Sequence, residues 1–164
     1  MKKKVLFVLA LLVAAGAVFA QAPTLDKLTI SSTSIVSAAN KQISGEVVIP
    51  ATNPANGRSV PYIETDGFRD CTRITSVIFL TPTSPHSMVI RSGSFLGCTN
   101  LTSVTIPERV NFQVPNPSFD GDLYVKFRAG GAGTYTRQPG GTVWTKVGGT
   151  VTCPTCGGTG VIHQ

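Results

Sequence analysis

Two stretches of this chain, set one above the other, decide how it is read. Gly67-Phe68-Arg69-Asp70-Cys71-Thr72-Arg73-Ile74-Thr75-Ser76-Val77-Ile78-Phe79 aligns with Ser94-Phe95-Leu96-Gly97-Cys98-Thr99-Asn100-Leu101-Thr102-Ser103-Val104-Thr105-Ile106. Phe, Cys, Thr, an aliphatic residue, Thr-Ser-Val and a second apolar residue recur in step, at a constant offset of 27 residues. Ile63 and Ile90, each five before its Phe, extend the register upstream. Self-similarity at a fixed period of this size marks stacked supersecondary units, none of which buries its apolar edge alone.

Weaker copies flank the pair. Val47-Val48-Ile49-Pro50 echoes Val104-Thr105-Ile106-Pro107, and Ser118-Phe119-Asp120-Gly121 echoes Ser94-Phe95-Leu96-Gly97. The next Phe-to-Phe spacing is 24, so the longer unit carries three extra residues, assigned to the Pro-rich stretch 81–86. Short β-branched runs bounded by Gly, Pro, Asn and Ser predict strands at 28–30, 47–49, 76–80, 88–90, 101–106 and, as a closing strand, 123–127. The expected fold is mainly β: a short leucine-rich-repeat solenoid of three to four coils, with parallel strands, short helical turns opposite them at 68–71, and terminal caps. The expected organisation is a signal peptide over 1–20, an N-terminal cap over 21–45, the repeat array over 46–128 and a Gly-rich C-terminal tail over 129–164.

The first twenty residues carry the targeting signal. Lys2, Lys3 and Lys4 precede an uncharged apolar run over 5–20 that ends Val18-Phe19-Ala20. A basic region, an apolar region and small residues before Gln21 make a cleaved secretory signal, which predicts a secreted, cell-surface or periplasmic protein. The whole chain of 164 residues has a net charge of +6, with 14 basic and 8 acidic residues. Without Lys2, Lys3 and Lys4 the excess falls to +3 and includes no basic run, which argues against nucleic acid as a partner. Charged residues are only 13% and hydrophobic residues 41%, which excludes a disordered tail and a coiled coil. No stretch after Ala20 is long and apolar enough to predict a membrane span.

The repeat carries a resemblance. Phe95-Leu96-Gly97-Cys98-Thr99-Asn100-Leu101-Thr102-Ser103-Val104-Thr105-Ile106-Pro107 resembles the unit of the BspA-type leucine-rich-repeat family of secreted bacterial surface proteins. Gly45-Glu46-Val47-Val48-Ile49-Pro50 is similar to the usual lead-in to such arrays, and the likeness covers roughly residues 25–127. Leu80 stands where that unit has Pro, and Asp70 where it has Gly. The resemblance implies adhesion to proteins of a host or of other bacteria.

The four cysteines divide into two unlike pairs. Cys71 and Cys98 hold the same place in successive units and are expected as buried free thiols acting as small hydrophobes. Cys153-Pro154-Thr155-Cys156-Gly157-Gly158-Thr159-Gly160 is similar to one unit of the zinc-binding domain of the Hsp40 chaperones. In an exported chain the foremost reading of Cys153 and Cys156 is a local disulfide. A shared tetrahedral zinc, with His163 as a third ligand or with a second chain completing four cysteines, stays open beside it. The latter makes a homodimer through the tail, and the alternative reading is a structural or assembly protein joined there. No metal ligand set and no cofactor is assigned.

Catalytic arrangements are thin, and no Ser-His-Asp or Cys-His pairing has a sequence context to support it. His86 lies in the Pro-rich loop, His163 stands beside the C-terminus, and Asp120-Gly121-Asp122 reads as a turn, so the chain is read as a non-enzyme. What remains is a surface. Thr75, Ser76 and Ile78 in one unit, and Thr102, Ser103 and Thr105 in the next, alternate with the core residues and are expected as rows on an exposed strand face. Hydroxyls both donate and accept, so such rows suit a protein or glycan surface on a host or another bacterium. Arg73 and Arg91 are placed at its border, and Tyr135 and Trp144 either anchor a partner or pack beneath the end of the array.

Overall fold

The computed structural model describes residues 22–83, 85–114 and 117–148. A short 3-10 turn, Leu25–Lys27, leads into β1 (Leu28–Ile30) and β2 (Ile35–Ala38). Then come β3 (Gly45–Ile49), β4 (Tyr62–Ile63), β5 (Ile74–Phe79), β6 (Met88–Ile90), β7 (Ser103–Ile106) and β8 (Val110–Phe112). One helix, α1 (Leu123–Gly130), precedes β9 (Gly133–Thr136) and β10 (Thr145–Lys146). The strands form two five-stranded sheets, ordered β1-β2-β4-β6-β8 and β10-β9-β7-β5-β3. From β3 to β8 the chain alternates between them, so each repeat contributes one strand to each sheet.

The 27-residue period explains the register. Ser76, Val77 and Ile78 pair with Ser103, Val104 and Thr105 in one sheet, and Tyr62 and Ile63 pair with Val89 and Ile90 in the other. These inner pairs are parallel, whereas β1–β2, β7–β9 and β9–β10 are antiparallel. Identical positions therefore stack. Phe68, Phe95 and Phe119 form a column with ring centroids 4.8 and 4.7 Å apart and planes 11° and 7° from parallel. That spacing is the strand repeat itself. Phe79 meets Phe95 edge-on at 6.0 Å, and Trp144 closes the column against Phe119 at 6.5 Å. Around it Val36, Ile63, Ile90, Val77, Val104 and Tyr135 are fully buried, and both sheets share this one core.

The expected leucine-rich-repeat solenoid of parallel strands and short helical turns is not what the chain forms. Two sheets of mixed parallel and antiparallel pairing pack on each other, with a single helix among the described residues. Two physical reasons account for the correction. Asp66 just before the expected helical turn and Asp70 within it take φ of 53° and 58°, a left-handed conformation that a right-handed helix cannot absorb. The short apolar runs at 62–63, 88–90 and 110–112 also pair in parallel with one another, at offsets of 27 and then 22 residues, and build a second sheet.

The same Asp positions explain the departure at residue 70. Asp66 and Asp70 adopt the left-handed backbone that Gly93 and Gly97 hold in the next unit, at φ of 68° and 74°. Aspartate tolerates this region better than most residues. Their carboxylates then lean over the following unit: a Cβ on Gly93 would overlap Asp66 Oδ1, and one on Gly97 would overlap Asp70 Oδ1.

The expected closing strand at 123–127 is also corrected, to α1. A strand would place Leu123, Val125 and Phe127 on one face. Instead Leu123 is buried and Phe127 packs against the core four residues later, while Val125 is 63% exposed. The helix is steadied by Lys126 beside Asp122 at 3.8 Å and ends where Gly131 takes φ of 68°. Closure of the β10-β9-β7-β5-β3 sheet falls to the β9–β10 hairpin, which begins 10 residues after α1 begins. Among the described residues no helix is long and apolar enough to cross a membrane.

Candidate functional site

The outward face of the β10-β9-β7-β5-β3 sheet follows from strand alternation. Inward go Val77, Val104 and Tyr135, all fully buried, so their neighbours point away from the core. The register then aligns two ranks across the strands. The first is Glu46, Ser76, Ser103, Thr136 and Thr145; the second is Val48, Ile78, Thr105 and Thr134, with Val147 following on β10. Neighbouring strands are about 4.8 Å apart, and the two ranks are about 7 Å apart along each strand.

Four of the six residues read from the sequence stand in these ranks: Ser76, Ile78, Ser103 and Thr105. Thr75 and Thr102 do not. The pairing of β3 with β5 shifts between Gly45 and Glu46, passing from Ile74 directly to Ser76, so Thr75 bulges out of the ladder. Thr102 lies just before β7, and both its backbone N–H (2.9 Å) and its hydroxyl (3.2 Å) donate to Thr75 O.

Sequence reasoning missed Thr134, Thr136 and Thr145, which it assigned to the tail. They extend the face by two strands. The signal was present as period-two alternation in Gly133-Thr134-Tyr135-Thr136, with the one apolar side chain turned inward. Two bonds lie within the face: the Thr105 and Thr134 hydroxyls bond each other at 2.9 Å, and toward the β3 edge the Ser76 hydroxyl donates to Glu46 Oε2 at 3.3 Å. Among the described residues, the hydroxyls of Ser103, Thr136 and Thr145 have no protein partner. Glu46, at one end of the first rank, is the only charged side chain in either rank.

The ends of the array are finished by polar clamps. At the β3 edge, Thr24 exchanges two bonds with Val48, donating its N–H to Val48 O and accepting from Val48 N–H at its hydroxyl. At the other end Arg137 takes the place of a further repeat. Within the array Thr102 N–H donates to Thr75 O; one unit on, Arg137 N–H donates to Thr102 O at 2.9 Å. Its guanidinium donates to Leu101 O (2.7 Å), Cys98 O (2.9 Å) and Gly141 O (2.8 Å), and lies 4.7 Å over the Trp144 ring. Burial lowers its pKa from the usual arginine value, while Asp120 opposes the shift. Tyr135 and Trp144, left open as partner anchors, are fully buried and serve this end of the core.

Arg91 does not border the hydroxyl face. It follows β6 in the other sheet, 4.1 Å over the Tyr62 ring and 3.7 Å from Glu64. Cys71 and Cys98 are free, fully buried thiols, and Cys98 Sγ donates to Phe68 O at 3.1 Å. Burial raises both thiol pKa values, that of Cys98 to about 12, which keeps it protonated and unreactive at neutral pH. Among the described residues no three His, Cys, Asp or Glu side chains gather as a metal site. The signal segment at 1–20 and the Cys153, Cys156 and His163 positions lie outside the described residues. No family model, curated protein or solved structure matches the chain.

Proposed function

We propose that this chain is an exported binding module, holding protein or glycan surfaces of a host or of other bacteria through the hydroxyl face. The observation that carries the reading is the row of Ser103, Thr136 and Thr145, half-buried to exposed, whose hydroxyls are unpaired within the protein. The row runs from the central strand β7 to the edge strand β10, on a face whose ranks carry no charge but Glu46 at the opposite end. A solvated sheet face is ordinarily patterned with mixed charges. Here 22 charged residues are distributed over the chain and one of them stands in the two ranks. The basic and apolar leader over residues 2–20 supports export, and the likeness of the repeat unit to BspA-type surface proteins points to adhesion.

Attachment of the labelled protein to bacterial and host cell layers tests the proposal. Ser103→Arg and Thr136→Arg place a long cation in mid-face without touching the core. Each is expected to cut attachment at least tenfold with an unchanged melting temperature. Attachment at wild-type level by both variants would overturn the reading.

A further inference from the structure

We infer that the ligand of the hydroxyl face is a neutral, linear, β-linked polysaccharide lying across the strands, an inference that rests on the binding role of that face. Three features of the ranks select this class. The first is charge. Beyond Glu46 at the rim, neither rank offers a cation for an acidic polymer or an anion for a basic protein patch. Electrostatic complementarity ordinarily fixes the register of charged partners, and this face has none to give.

The second is spacing. Ser76, Ser103, Thr136 and Thr145 sit on four adjacent strands. Their hydroxyls therefore recur at about 4.8 Å over about 14 Å. A β-linked pyranose advances by close to one strand spacing per residue, so successive sugars present a hydroxyl, alternately from the ring and from the hydroxymethyl group, to successive side chains. Ser and Thr can donate to or accept from each of them.

The third is the second rank. Ile78, Thr105, Thr134 and Val147 turn methyl groups outward about 7 Å from the hydroxyl rank. The Thr105 and Thr134 hydroxyls satisfy each other, so these residues present their methyls at little polar cost. A pyranose ring has the matching asymmetry, with apolar C–H faces and polar hydroxyl edges. Laid across the sheet, the chain sets its C–H faces on the methyl rank and its hydroxyl edge along Ser103 and Thr136.

The test is affinity electrophoresis of the full chain in its exported form. Gels contain a soluble neutral β-glucan, a neutral β-mannan, or the acidic polymers hyaluronate and polygalacturonate. Thr136→Val keeps the shape and methyl and removes the hydroxyl; Ser103→Ala removes the next one. Retardation by a neutral polymer is expected, weakened roughly fivefold by each substitution, with no retardation by the acidic polymers. Retardation by acidic polymers alone, or by a neutral polymer equally for wild type and the double variant, would overturn the inference. If no polysaccharide retards the protein while Thr136→Arg still abolishes attachment to cells, the inference falls and the binding face stands. If Ser103→Arg and Thr136→Arg both attach like wild type, the face itself is not the binding site and both fall.

Discussion

Replacing Arg137 by Met tests whether one side chain substitutes for the missing repeat at the end of the array. The guanidinium side chain is only 1% exposed and donates to Leu101 O, Cys98 O, Gly141 O and, at 3.3 Å, Asp120 O. Methionine keeps much of the packing against Trp144 and removes every donor. The carbonyls of Leu101 and Cys98 then have no side-chain donor at the end of the core, at about 1–3 kcal/mol each. Removing a buried charge returns part of this, because desolvation already disfavours the cation, as its lowered pKa shows. The balance is a loss of about 3–4 kcal/mol. Against a total stability of about 5–15 kcal/mol this lowers the melting temperature by about 10–15 °C. Urea unfolding followed by Trp144 fluorescence measures it directly, since that ring stacks on the arginine. Arg137→Lys should recover only a minor share, because one ammonium cannot serve carbonyls on both sides of the fork. A loss below about 1 kcal/mol for Arg137→Met would refute the clamp, since surface positions stay within that range.

Two further outcomes follow from the repeat. The Cys98 thiol is held neutral by burial, with its pKa raised from 9.0 to about 12. Its stabilising contribution is therefore fully present below pH 9 and is lost as the pH rises toward 12. Cys98→Ala should flatten the alkaline limb of the stability profile. In the native protein a thiol reagent at pH 8 should leave Cys71 and Cys98 unlabelled until denaturant is added, and rapid native labelling at either position would contradict their burial. Gly97→Ala forces a Cβ onto Asp70 Oδ1 at a left-handed backbone. It should destabilise by about 1–3 kcal/mol. Pairing it with Asp70→Gly removes the overlap and should recover part of the loss; equal stability of the single and double variants would show that backbone strain alone is responsible.

Much of the core was legible before any coordinates. The column Phe68, Phe95 and Phe119, the buried thiols Cys71 and Cys98, and the inward positions Val77 and Val104 all follow from a repeat that must superpose on itself. The turn chemistry was partly legible. Asp70 in place of Gly was visible as a departure, but its left-handed backbone and its carboxylate over Gly97 are contacts between units. Residues 123–127 were misread because Leu123, Val125 and Phe127 satisfy both a strand and a helix pattern over so few residues. The exposure of Val125 decides it, and that depends on what lies beside it.

The period, the in-step pairing of Ser76 with Ser103 and of Ile63 with Ile90, and the alternation of core and surface along each strand belong to the sequence by itself. A 27-residue repeat can bury its apolar edge only against its own copies. Which partner each strand finds is different. That the short runs 62–63, 88–90 and 110–112 make a second sheet, that Thr134, Thr136 and Thr145 complete the hydroxyl face, and that Arg137 ends the array are decided by the tertiary structure. Sheet membership is a contact between distant segments, chosen by what remains unpaired once the repeats have stacked, and local propensity carries no record of it.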